Sequence, residues 1–160
     1  MIAVLLLAPI LAAQAVPAGE DPVDPYTQSN ANAGATPFTG DSMWRAFRER
    51  EGVARIVEGM VTRNLADPRI SDIFKNQDLV RLRRTLNEQF CYILNGGCAY
   101  TGRTMRDAHK DMGIQTADMT ALVENLQAAM RAEHVAFAAQ NRFLAKLAPM
   151  RRDVLQRPAR

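Results

Sequence analysis

The chain has 160 residues, 48% hydrophobic and 23% charged, with 20 basic and 17 acidic side chains for a formal charge of +3. Such a length admits one domain around one core, and the composition excludes a chain too polar to fold. The basic residues are dispersed among helix-spaced acids without interleaved aromatics, so they read as a solvated surface and no nucleic-acid partner is expected.

At the N-terminus, Ile2 to Ala15 is an apolar run closed by Ala13-Gln14-Ala15, the small-residue form of a secretory cleavage site, with a second cut available after Ala18. The run is shorter than the roughly 20 apolar residues that span a bilayer. Residues 1–18 are therefore expected to be a cleaved signal peptide, meeting a membrane only transiently. Its n-region lacks Lys and Arg, which makes the signal atypical. The expected destination is the periplasm, with the cytoplasm as the alternative if the segment does not function. Residues 19–40 are rich in Pro, Ala, Asn, Gly, Asp and Thr and show little apolar periodicity, the composition of a disordered linker.

Beyond Asp41 the apolar spacing is helical and no period-two alternation is sustained, so residues 41–156 are expected to form an all-α domain, followed by a short tail over 157–160. Asp41-Ser42 can cap a short helix carrying Trp44 and Phe47. Val53, Ile56, Val57, Met60 and Val61 then form a stripe that ends at Asp67-Pro68, where the proline disfavours helical geometry in its predecessor. Leu79, Leu82, Leu86, Phe90, Ile93 and Leu94 form another, opened by Asp78 as a cap and closed by Asn95-Gly96-Gly97. A loop-rich stretch follows, with a short segment from Met105 to Lys110. Two last helices, from Thr116 to Glu133 and from Val135 to Leu155, are expected to pair as an antiparallel hairpin.

The raw material for cofactor-free catalysis is poor. There are two histidines and two cysteines, with no H-E-x-x-H, P-loop, dinucleotide or C-x-x-C pattern. His109 ends the segment Arg106-Asp107-Ala108-His109-Lys110, before a glycine turn and between helices rich in large apolar residues. An imidazole there can face an apolar slot, or it can be a partly exposed histidine with no ligand role.

The string from Gly96 through Tyr100-Thr101-Gly102, Met105 and His109 to Gly113-Ile114 resembles the group I truncated haemoglobins, from the end of the distal helix to the proximal histidine. The likeness runs ungapped from Met43 to Val154, through Leu65-Ala66-Asp67-Pro68 and Ile73-Phe74. It implies a shortened globin fold, two antiparallel helix pairs stacked two-on-two around a haem, with the proximal segment largely a loop. By that resemblance His109 is the iron ligand of a haem b, its other N–H held by a backbone carbonyl. Phe74 packs on the porphyrin, Leu82, Leu86 and Phe90 form the distal wall, and Met105, Ile114 and Met119 lie on the proximal side. Tyr100 and the arginines 81, 83, 84 and 103 are candidates for the haem propionates, each with a solvated surface role as the alternative.

The sequence also departs from that family. Many members carry a tyrosine on the second helix and a glutamine on the third, both facing the sixth iron position; here the matching residues are Val61 and Leu86, with Leu82 at the gate. The distal pocket thus reads as apolar, which should weaken O₂ binding by about one to two powers of ten and affect CO and NO less. Gln89 is the nearest polar residue on the third helix, about 100° round from Phe90. The family's Gly-Gly between its first two helices is Arg48-Glu49 here. Cys91 and Cys98 invite a disulfide in an oxidising compartment, although Cys91 in the helix body can equally be a small buried hydrophobe. His134 reads as a surface residue.

The leading expectation is a haem protein that reversibly binds diatomic gases, with oxygen binding or transport as its use and a reductase or electron donor as partner. NO dioxygenation is poorly supported by an apolar pocket. The alternatives are an extracytoplasmic redox protein or weak peroxidase, and a helical interaction module that has lost haem.

Overall fold

A computed structural model describes residues 15–155 and is all-helical over them, without a strand. Residues 1–14 of the expected signal, and the tail over 157–160, lie outside the described residues. The helices are α1 (Ser42–Ala46), α2 (Glu49–Ala66), α3 (Ser71–Phe74), α4 (Leu79–Ile93), α5 (Met105–Ala108), α6 (Thr116–Ala132), α7 (Phe137–Leu147) and α8 (Arg151–Val154).

The apolar stripes become the core. On α2, Val53, Ile56, Val57, Met60 and Val61 are all buried, and this helix packs against both α4 and α6. Asp78 opens α4 as expected, its Oδ1 accepting the Arg81 amide at 2.8 Å, and Asn95 closes it with φ of 66°. Phe143 of α7 is fully buried and ties the pairs together, its ring 4.9 Å edge-on from those of both Phe47 and Phe90. α7 packs in turn on α6, and α8 on α5.

The expected C-terminal helix is divided. A 3₁₀ turn over Ala148–Met150 separates α7 from α8, because Pro149 has no amide hydrogen to give and crowds the preceding turn.

The corner between α1 and α2 is built without the family's glycine pair. Arg48 and Glu49 adopt left-handed φ values of 59° and 58°. Gly52 makes the corner feasible, since a Cβ there would lie 2.1 Å from the carbonyl oxygen of Phe47.

The expectation of a disordered linker over 19–40 is corrected. The segment lies on the helical domain as a strap fixed by single polar side chains. Glu20 is paired with Arg81, at 3.1 Å, and with Arg84. The Tyr26 hydroxyl donates to the Thr101 carbonyl at 2.7 Å, and Asn30 Oδ1 accepts the Tyr100 amide at 2.8 Å. A 3₁₀ turn over Asn30–Ala33 then buries Ala33, and the Phe38 amide donates to the Ile93 carbonyl. Pro and Gly limit regular structure in such a segment, but they do not prevent these few anchors from offsetting its ordering cost. At the far end of α4, Cys91 and Cys98 are joined by a disulfide.

Candidate functional site

The helices, together with Val23 and Tyr26 of the strap, line a partly open cavity of about 940 Å³, in the size range of small-molecule and cofactor sites. α4 contributes Leu82, Leu86 and Phe90 to its wall, and α3 contributes Phe74. Met105 and His109 enter from the α5 segment, with Tyr100 before them and Ile114 and Met119 after. Residues expected at one site from distant parts of the sequence thus line one space.

Val61 is placed differently from the other candidates. Its side chain is fully buried in the core, and α2 meets the cavity through Met60 and Asn64 instead. Met60 and Asn64, four residues apart, lie on one face of α2. Asn64 and Met60 were missed as site residues. Asn64 falls at i+11 from Val53, in register with the buried stripe, but its polar side chain interrupts the apolar pattern that marks the others.

His109 is set up by its own segment. Its Nδ1 lies 2.7 Å from the Met105 carbonyl oxygen, which can only accept, so Nδ1 carries the hydrogen and Nε2 keeps its lone pair. Burial pushes the imidazole pKa down, against the Met105 carbonyl that raises it, and the Arg103 charge lowers it further. A neutral ring with a free Nε2 is the form that ligates a metal. Among the described residues no three His, Cys, Asp or Glu side chains cluster to hold a bare ion. A single imidazole facing an apolar cavity suits a metal that already has most of its ligands.

The polar candidates divide. Arg83 is paired with Glu58 at 2.6 Å, and Arg84 is held by Glu20, Glu88 and Thr101; neither lines the cavity. Arg81 lines it but is paired with Glu20 and Asp78. Arg103 lines it with no side-chain hydrogen bond or ion pair among the described residues, which leaves its guanidinium uncommitted by them. Tyr100 is buried, its hydroxyl donating to the Arg103 carbonyl at 3.1 Å, and burial pushes its phenol up to about 12. Gln89 also lines the cavity, but its amide donates to the Ala33 carbonyl at 2.8 Å and is therefore committed to the strap. His134 is exposed, as expected.

The chain is similar to known proteins over the same region. The Bacterial-like globin family matches residues 44–156. A group 1 truncated haemoglobin of Tetrahymena pyriformis is 32% identical over 91 residues, 57% of this chain and 75% of that protein. One from Mycolicibacterium paratuberculosis is 28% identical over 113 residues, 71% of this chain and 83% of that protein. The crystal structure of the Tetrahymena pyriformis truncated haemoglobin in its Fe(III) form superposes with a TM-score of 0.69 at 26% identity, covering 72% of this chain and 98% of that one. The two-on-two haemoglobin of Synechococcus, solved in the cyanomet state with covalently attached haem, gives 0.67 at 25% identity, covering 72% and 99%.

Proposed function

The chain belongs to the bacterial-like globin family and is a haem-binding globin of the truncated kind, and on that premise we propose that it binds diatomic gases reversibly at a haem b ligated by His109. Oxygen, CO and NO are the ligand class, with oxygen binding or transport as the use. Held by His109, the haem would supply an iron able to take up a small gas reversibly. The observation that carries the reading is the His109 imidazole, neutral, with Nδ1 held by the Met105 carbonyl and Nε2 free beside an apolar cavity.

The other residues have subordinate parts. Phe74, Leu82, Leu86 and Phe90 keep water from the cavity, and Met105, Ile114 and Met119 wall the side from which His109 enters. Arg103 is the uncommitted cation for a propionate, which it can grip with charge-assisted hydrogen bonds. An electron donor that keeps the iron reduced is the partner this use requires. Peroxidase chemistry is a weaker alternative, because cleaving an O–O bond calls for polar groups that Leu82 and Leu86 do not offer.

Export to an oxidising compartment is part of the proposal. Its support is the Cys91–Cys98 disulfide, a bond that persists outside the cytoplasm, together with the apolar N-terminal run.

Haem titration of the full chain tests the reading. One equivalent is expected to develop a Soret band that moves reversibly on exposure to CO or O₂. A chain that takes up no haem, or whose bound haem ignores both gases, rejects it.

A further inference from the structure

The cavity contains one polar group whose orientation is dictated by a chain of contacts outside it. Arg69 grips the Asp67 carboxylate through Nε and Nη2, at 3.0 and 2.8 Å, and holds it well below the usual carboxylate range. An ionised carboxylate only accepts hydrogen bonds. The Asn125 side chain therefore presents its nitrogen to Asp67, donating to Oδ2 at 3.1 Å, and the same nitrogen reaches Asn64 Oδ1 at 3.0 Å. Both hydrogens of Asn125 Nδ2 are thereby used. Asn64 must then present its oxygen to Asn125, and its own NH₂ group points elsewhere.

That NH₂ group has no partner among the described residues. Asn64 is 1% exposed, yet Nδ2 makes no hydrogen bond, not even to the carbonyl one turn back that Asn87 uses on α4. Every fully buried side-chain nitrogen or oxygen among the described residues has a partner, so an Nδ2 without one is an atom the cavity reaches. Leaving such a donor facing an apolar space is costly unless something there accepts from it.

We propose that the Asn64 amide is the polar group that contacts the gas ligand, donating a hydrogen bond from Nδ2 where the cavity-lining Leu82 and Leu86 offer none. The inference rests on the proposed haem function. The Arg69, Asp67 and Asn125 contacts act as the positioning residues, fixing which end of the amide faces the cavity. The apolar distal pocket expected from the sequence is thus given one donor. The discrimination between gases follows, since O₂ gains more from a donor than CO does.

The test uses the full chain loaded with haem. In Asn64→Leu, which keeps the shape and removes the donor, O₂ dissociation is expected to speed up by about five- to tenfold with CO dissociation nearly unchanged. In the parent, resonance Raman of the O₂-loaded protein is expected to show a ligand-stretching band that shifts between H₂O and D₂O, and Asn64→Leu is expected to lose that shift. Equal changes for both gases, no change, or a parent band indifferent to D₂O overturns the assignment while leaving haem binding intact. The D₂O comparison needs no variant, so it decides even if the substituted chain folds poorly. Failure of the parent to form a Soret band removes the haem reading itself.

Discussion

The phenol ring of Tyr100 lies so close over Gly102 that a Cβ at position 102 would stand 2.3 Å from its hydroxyl oxygen. The Tyr-Thr-Gly string is therefore one packing unit: the tyrosine folds back over the glycine, donates to the Arg103 carbonyl and reaches the cavity wall. Gly102→Ala is expected to cost about 1–3 kcal/mol, the range for overpacking a filled site. Thermal unfolding measures it, and a melting temperature equal to that of the parent would show that Tyr100 can give way freely.

The same reasoning explains what was legible in the sequence. The stripes of α2 and α4 and the Asp78 cap follow from helical periodicity, which the core enforces. His109 was not legible from spacing; only the string around it carried the assignment. Composition averages over residues and so hides the strap, because Glu20, Tyr26 and Asn30 act through individual partners more than 60 residues away. Asn64 was hidden for a related reason: a polar residue on a buried stripe breaks the hydrophobic pattern that reveals the others.

The α1–α2 corner stores strain that glycine would relieve. A left-handed conformation costs a residue with a side chain about 1–2 kcal/mol, part of which glycine returns through the unfolded state. Arg48→Gly and Glu49→Gly are each expected to stabilise by about 0.5–1 kcal/mol, read as a rise in denaturant midpoint. A fall in both would mean that contacts of the longer side chains outweigh the backbone.

Strap docking depends on the Glu20 charge. Its carboxyl pKa is lowered, first by the hydrogen bond from Arg84, and its side chain is almost fully covered. A folded pKa below the unfolded one means that the stabilisation is complete above the ordinary glutamate value of 4.5 and is lost as pH falls through the lower folded value. Glu20→Gln is expected to cost about 1–3 kcal/mol, less than a fully buried pair because Arg84 keeps 27% of its side-chain exposure. Amide exchange at Asp21 and Tyr100 should accelerate in this variant at neutral pH and in the parent only under acid. Unchanged protection in the variant would show that Tyr26 and Asn30 hold the strap unaided.

The Cys91–Cys98 bridge closes a short loop around the glycine turn. Chain-entropy arithmetic for a loop this size gives about 2–3 kcal/mol. The Cys91→Ala, Cys98→Ala double variant is expected to lose that much in chemical denaturation, and the unreduced parent to show no thiol titre. A full thiol titre in protein purified from its native compartment would place it in a reducing one.

The most direct test of the central claim asks whether His109 itself holds the iron. In haem-loaded protein, resonance Raman of the ferrous form should contain an iron–histidine stretching band. His109→Gly is predicted to lose that band and to regain it when imidazole is added to fill the space. An unaltered band in His109→Gly would contradict the account, because another residue would then be the ligand.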